Sequence, residues 1–109
     1  MIISKLENIL IKNFRRLGLN NSKNDPVKVI LFPTYLDGHD SLIDLQYYDL
    51  MAGLHMGVYP SYYEPWGYTP LESASLGVPA VTTDLAGFGR FIKEIQGSEN
   101  KGIYVIKRD

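Results

Sequence analysis

Short apolar runs rich in β-formers alternate along this chain with stretches of helical spacing, and that alternation constrains the fold most. Val27-Lys28-Val29-Ile30-Leu31-Phe32, ended by Pro33, reads as a strand buried on both faces. Met56-Gly57-Val58-Tyr59-Pro60, Pro79-Ala80-Val81-Thr82-Thr83 and Gly102-Ile103-Tyr104-Val105-Ile106 read as further strands. Residues 2–17 carry Ile3, Leu6, Ile9, Leu10, Phe14 and Leu17 at helical spacing, with Gly18 as a stop. Helices are also expected over 44–54, with Leu45 and Tyr48 inward, over 69–76, stopped by Gly77, and over 87–95. Such alternation predicts an α/β fold: a parallel sheet of about four strands, helices on both faces, right-handed crossovers. Ligands bind such sheets beyond the carboxyl ends of the strands. The loop 61–68 occupies one of those ends.

The chain has 109 residues, 45% of them hydrophobic and 21% charged, which suits one domain with a core of its own. With no cysteine, disulfides and thiolate metal sites are excluded. No apolar run approaches the roughly 18 residues that span a bilayer. Charge falls at Lys5 and Glu7, where the apolar core of a secretory signal would continue. The expectation is a cytoplasmic protein without membrane contact. Every lysine and arginine lies in 1–28 or 90–109, whereas Asp37, Asp40, Asp44, Asp49, Glu64, Glu72 and Asp84 lie between. An acidic middle is the wrong sign for a nucleic-acid surface.

The helix start at 69 carries three agreeing signals. Thr69 is a good N-cap, Pro70 suits the first helical position, and Glu72 three residues after the cap completes a capping box. A helix N-terminus offers unpaired N–H groups to an anion, and Gly67 lets a ligand approach the backbone. Pro65 biases Glu64 toward an extended backbone, which keeps its carboxylate out of any helix. Tyr62, Tyr63, Trp66 and Tyr68 supply aromatic faces suited to sugars and bases. Spacing alone leaves plain readings open: Glu72 as a cap only, Glu64 as a solvated acid, the aromatics as packing. On these grounds the loop is an anionic-ligand site and no more.

Ser61-Tyr62-Tyr63-Glu64-Pro65-Trp66-Gly67-Tyr68-Thr69-Pro70-Leu71-Glu72 closely resembles the signature loop of the animal- and fungal-type glycogen synthases. Two glutamates with seven residues between them also fit the wider pattern of retaining glycosyltransferases. Residues 27–33, the stretch 49–60 with Gly53, His55 and Gly57, Gly77-Val78-Pro79, Leu85-Ala86-Gly87-Phe88-Gly89 and Arg15-Arg16-Leu17-Gly18-Leu19-Asn20-Asn21 resemble the same family in order. The chain departs from it at 39–44 and at Leu36-Asp37-Gly38, which replaces a more serine-rich loop.

The resemblance implies two Rossmann-like halves facing a cleft, with 1–109 a partial domain on the nucleotide-sugar side. It implies transfer of glucose from UDP-glucose, or ADP-glucose in some relatives, to the 4-hydroxyl end of an α-1,4-glucan, with retention and no metal or cofactor. Glu64 would lie against the transferred glucose and Glu72 would hold the ribose hydroxyls. Trp66, Gly67 and Tyr68 would line the sugar, Thr69 would meet the diphosphate, and Tyr47 would stack on the base. The glucan acceptor would need a further domain. A leaving diphosphate calls for lysine or arginine, and none occurs from 29 to 89. Arg90 and Lys93 are the flanking cations, but the phosphate partners are expected outside this chain, so the chain alone should be inactive. An apolar face left open by an absent half-domain is a route to self-association.

A non-catalytic nucleotide- or sugar-binding half-domain is the rival reading. A P-loop is excluded because no G-x-x-x-x-G-K-[ST] occurs, and Gly87-Phe88-Gly89 is too short for a dinucleotide fingerprint. His55 is expected as a hydrogen-bonded core histidine, His39 as solvent-facing and Asp84 as the N-cap of the next helix. No His/Asp/Glu spacing suggests a metal site.

Overall fold

The computed structural model describes residues 5–97 and 99–109, which form two compact units, Met1–Tyr35 and Leu36–Asp109. Ile3, placed at the start of the expected first helix, lies outside the described residues.

In the first unit, helix α1 spans Lys5–Arg16. Gly18 ends it at φ 76°, with Leu19 N–H donating to Phe14 O at 2.9 Å and Gly18 N–H to Arg15 O at 3.0 Å. That is the left-handed closure glycine permits at a helix end. Residues 27–32, expected as a strand, join no ladder. The Asn21 side chain stands in for a neighbouring strand: its Nδ2 donates to Val29 O at 2.7 Å and its Oδ1 accepts Val29 N–H at 2.8 Å. An apolar run states a need for cover but does not supply the neighbour; Val27 and Ile30 stay exposed.

The second unit holds a three-stranded parallel sheet in the order β1 (Gly57–Val58), β2 (Ala80–Thr83), β3 (Ile103–Ile106). The expected α/β class with parallel pairing is present, with three strands among the described residues rather than about four. Helix α2 spans only Tyr47–Ala52. It starts three residues later than expected, because Asp44 stands at φ 53°, outside the helical region; before it, Asp40 accepts the N–H groups of Leu42 at 2.8 Å and Ile43 at 2.6 Å. Those bonds, Ile43 foremost, hold the Asp40 carboxyl below its usual range. Helices α3 (Tyr68–Ser75) and α4 (Gly87–Gln96) connect β1 to β2 and β2 to β3.

Both crossovers step the same way across the sheet, so two connections of the same hand place α3 and α4 on one face, where they touch. That face carries Gly57, Ala80 and Thr82, all buried. Small residues there allow a close approach: a Cβ on Gly89 of α4 would stand 2.0 Å from Thr83 O and 3.3 Å from Thr82 Cγ2. By register the opposite face carries Val58, Tyr104 and Ile106, which are 61%, 44% and 50% exposed. The expected cover on both faces is therefore not met over these three residues.

Asp84 does not cap α4; Ala86 holds that position. The buried Asp84 carboxylate instead receives Arg108 N–H at 2.7 Å, Asp109 N–H at 3.2 Å and Lys93 Nζ at 3.4 Å. These partners, led by the Arg108 N–H, outweigh desolvation and lower its pKa. A carboxylate depressed on folding stabilises the fold above its unfolded pKa, about 3.9, and loses that contribution as pH falls through the folded value. Denaturant midpoints measured from pH 7 to pH 2 should fall below about pH 4, and Asp84→Asn should flatten part of that fall. An unchanged pH profile in the variant would show that Asp84 does not carry it.

Candidate functional site

The loop 61–67 leaves the carboxyl end of β1 and leads into α3. Its backbone is held from outside. Thr83 Oγ1, at the end of β2, donates to Ser61 O at 2.8 Å. Gly87 N–H donates to Glu64 O at 3.0 Å, and Phe88 N–H to Trp66 O at 2.8 Å. The N–H groups of a first helical turn have no partners within their own helix, so α4 satisfies two of them on the loop's carbonyls. Glu64 and Ala86 accordingly form an isolated parallel bridge. Trp66 packs edge-on against Phe88, centroids 5.6 Å apart, and tilted against Phe91 at 5.5 Å.

Gly67 turns the chain into α3 at φ 96°, ψ 87°. A Cβ there would stand 2.5 Å from Glu64 Oε2, so the carboxylate occupies the space a side chain would need. Glu64 Oε2 is buried without a hydrogen-bond partner among the protein atoms. The helix starts at Tyr68 with Gly67 as its N-cap and no side-chain cap bond. The expected capping box of Thr69 and Glu72 is thus absent: glycine's freedom at positive φ moves the cap two residues back, from Thr69 to Gly67, and puts Thr69 inside the first turn. Pro70 is tolerated there because the N–H it lacks has no partner within the helix.

Freed from capping, Glu72 meets α2 instead. Tyr48 Oη donates to Glu72 Oε1 at 3.4 Å. Tyr47 lies edge-on to Tyr48, centroids 5.2 Å apart and planes at 61°. Burial, then the Glu72 carboxylate, push the Tyr47 phenol well above its ordinary value. Its hydroxyl is buried without a hydrogen-bond partner among the protein atoms. Glu64, Trp66, Gly67, Tyr68 and Thr69 thus follow one another along the loop and the start of α3, while Tyr47 and Tyr48 stand by Glu72.

Arg108 was not anticipated as part of this region. Its guanidinium lies over the Tyr62 ring, 4.5 Å from the centroid, while its N–H is fixed by Asp84. Stacking uses the face of a guanidinium and leaves its edge donors open. Lys93, weighed in the sequence as a flanking cation, pairs with Asp84. His39 is exposed as expected, but His55 is exposed too and is no core histidine. No cluster of three or more His, Cys, Asp or Glu able to hold a metal occurs among the described residues, and none of their helices is long and apolar enough to cross a membrane.

Thr83, Gly87 and Tyr48 were also missed. The signal for Gly87 was present: two glycines in the first turn of a helix, with three residues between it and the preceding strand, mark close approach of another backbone. A Cβ on Gly87 would stand 2.0 Å from Pro65 O.

The family model described as glycogen synthase matches residues 1–109. A glycogen [starch] synthase of Caenorhabditis elegans is 49% identical over 100 residues, which is 91% of this chain and 15% of that protein. The human liver glycogen [starch] synthase is 46% identical over 100 residues, 91% of this chain and 14% of its own length. A Neurospora crassa glycogen [starch] synthase is 43% identical over 103 residues, 94% and 15% respectively. The chain thus spans about 15% of the length of the curated relatives it matches. Matched over all its residues, and close in sequence to synthases of animals and a fungus, it belongs to the glycogen synthase family.

Proposed function

We propose that this chain is part of the donor-binding, Rossmann-like half of a retaining glucosyltransferase. The reaction is transfer of glucose from UDP-glucose or ADP-glucose to the non-reducing end of an α-1,4-glucan, in the cytoplasm, without metal or cofactor. One observation carries the reading: Glu64 Oε2 is buried and unpartnered over Gly67, at the start of α3. A carboxylate so held stabilises positive charge, and an anomeric carbon becomes oxocarbenium-like as its bond to the diphosphate breaks.

The remaining assignments rest on the family and on local chemistry. Glu72 accepts the ribose hydroxyls, and its freedom from capping duty supports that role. Tyr47 stacks on the base. Trp66, Gly67 and Tyr68 line the sugar, and the first turn of α3, with Thr69, takes the diphosphate, since exposed helix N–H groups favour anions. Arg108 brings positive charge to a loop that has none of its own. The acceptor glucan binds on a further domain of the parent enzyme. The exposed Val58, Tyr104 and Ile106 support self-association when the chain stands alone.

The lack of lysine and arginine from 29 to 89 favours one rival, a half-domain that binds without catalysis. Titrating UDP-glucose into the chain and into its Glu72→Ala variant should weaken binding at least ~10-fold, about 1.4 kcal/mol. Equal affinities reject the ribose role of Glu72. With UDP-glucose and glycogen supplied, the isolated chain should elongate no glucan. Measurable elongation shows instead that it holds a complete site.

A further inference from the structure

The donors that hold the loop 61–66 are outside it and have no part in the donor-binding assignments above. From this geometry we infer that Thr83 and Gly87 are positioning residues for Glu64: they fix the loop's main chain and so set where the carboxylate stands. The inference rests on the reading that Glu64 faces the transferred glucose.

Thr83 is buried, and its hydroxyl donates to Ser61 O at 2.8 Å while accepting Leu85 N–H at 3.3 Å. It ties the start of the loop to the end of β2. Gly87 ties the middle, through its N–H on Glu64 O at 3.0 Å. Gly87 must lack a side chain to do so, because a Cβ would stand 2.0 Å from Pro65 O and 3.2 Å from Trp66 Cα. Relief of that clash moves the backbone on either side of Glu64. Past Glu64, Phe88 N–H holds Trp66 O at 2.8 Å. The loop can then shift only by giving up these bonds, and a displacement near 1 Å at a reacting group costs on the order of 100-fold in rate.

A merely structural role would cost stability and leave the chemistry of the folded molecules intact. Ser73 is the matched comparison: it is buried and its hydroxyl donates to Val78 O at 3.0 Å, but the bond lies away from the loop. The test uses a full-length Caenorhabditis elegans synthase carrying this whole chain, residues 1–109, in place of its matching segment. Thr83→Val should lower kcat at least ~10-fold with KM for the nucleotide-glucose within about twofold, as expected where an interaction acts on the transition state. Thr83→Ser, which keeps the hydroxyl, should retain most of the rate. Ser73→Ala should lose comparable thermal stability and keep kcat. Gly87→Ala should lose about 100-fold in kcat; if that variant fails to fold, the Thr83 pair decides alone. The inference is overturned if Thr83→Val keeps its kcat, or if Thr83→Val and Ser73→Ala lose activity equally and in step with melting temperature. An unsubstituted graft with no activity overturns the proposed function itself, which separates the two failures.

Discussion

The close approach of α4 to the carboxyl end of β2 is the constraint on which the second unit depends. Two glycines permit it: Gly89 lets the helix sit on the Thr83 carbonyl, and Gly87 lets it meet the Pro65 carbonyl. Larger residues at either position would lift the helix from the sheet and take its first N–H groups out of reach of the loop. The α4 start settles two needs in one contact. Its unpaired donors find acceptors, and a loop of carbonyls that would otherwise need water finds donors. The same end of β2 holds Ser61 through Thr83 and passes directly into Asp84, which anchors the chain beyond β3.

Around this frame the two glutamates live in different environments. Glu64 is tucked over a glycine with one oxygen unpartnered, a state with a desolvation cost that a ligand can offset. Glu72 is flanked by tyrosines, one donating to it and the other with its phenol pKa raised by burial and by the Glu72 charge. A single acidic helix cap could not serve both purposes. Starting α3 at Tyr68 is what separates Glu72 from backbone duty.

Much of this was legible in the residues, for identifiable reasons. The runs around Gly57, Ala80 and Ile103 were readable as strands because each is short, apolar and bounded by glycine or proline. The helix over 87–95 was found almost to the residue because its apolar positions repeat at helical spacing. The strand at 27–32 failed because apolarity reports burial demand, while pairing depends on which neighbours are at hand. Thr69 as a cap failed because a left-handed glycine can begin a helix without any side-chain acceptor. The loop's chemistry-bearing residues stood out by type, but their supports did not. Thr83 and Gly87 act on main-chain carbonyls twenty or so positions away; the glycines at 87 and 89 signal a close approach, but no local pattern encodes which backbone approaches. Arg108 was hidden for a related reason: a linear charge map cannot register that β3 ends beside Tyr62.

Holding a loop by its carbonyls has a consequence for how such a protein can change. Every residue has the same carbonyl, so the grip on Ser61, Glu64 and Trp66 is indifferent to which side chains those positions carry. Reactive groups and contact surfaces along the loop can be exchanged while the trace of the backbone persists. The freedom is one-sided, since the gripping partner at Gly87 admits no side chain at all. Substrate preference in a scaffold of this kind can therefore drift quickly on one side of the contact, against a helix start that tolerates almost nothing on the other.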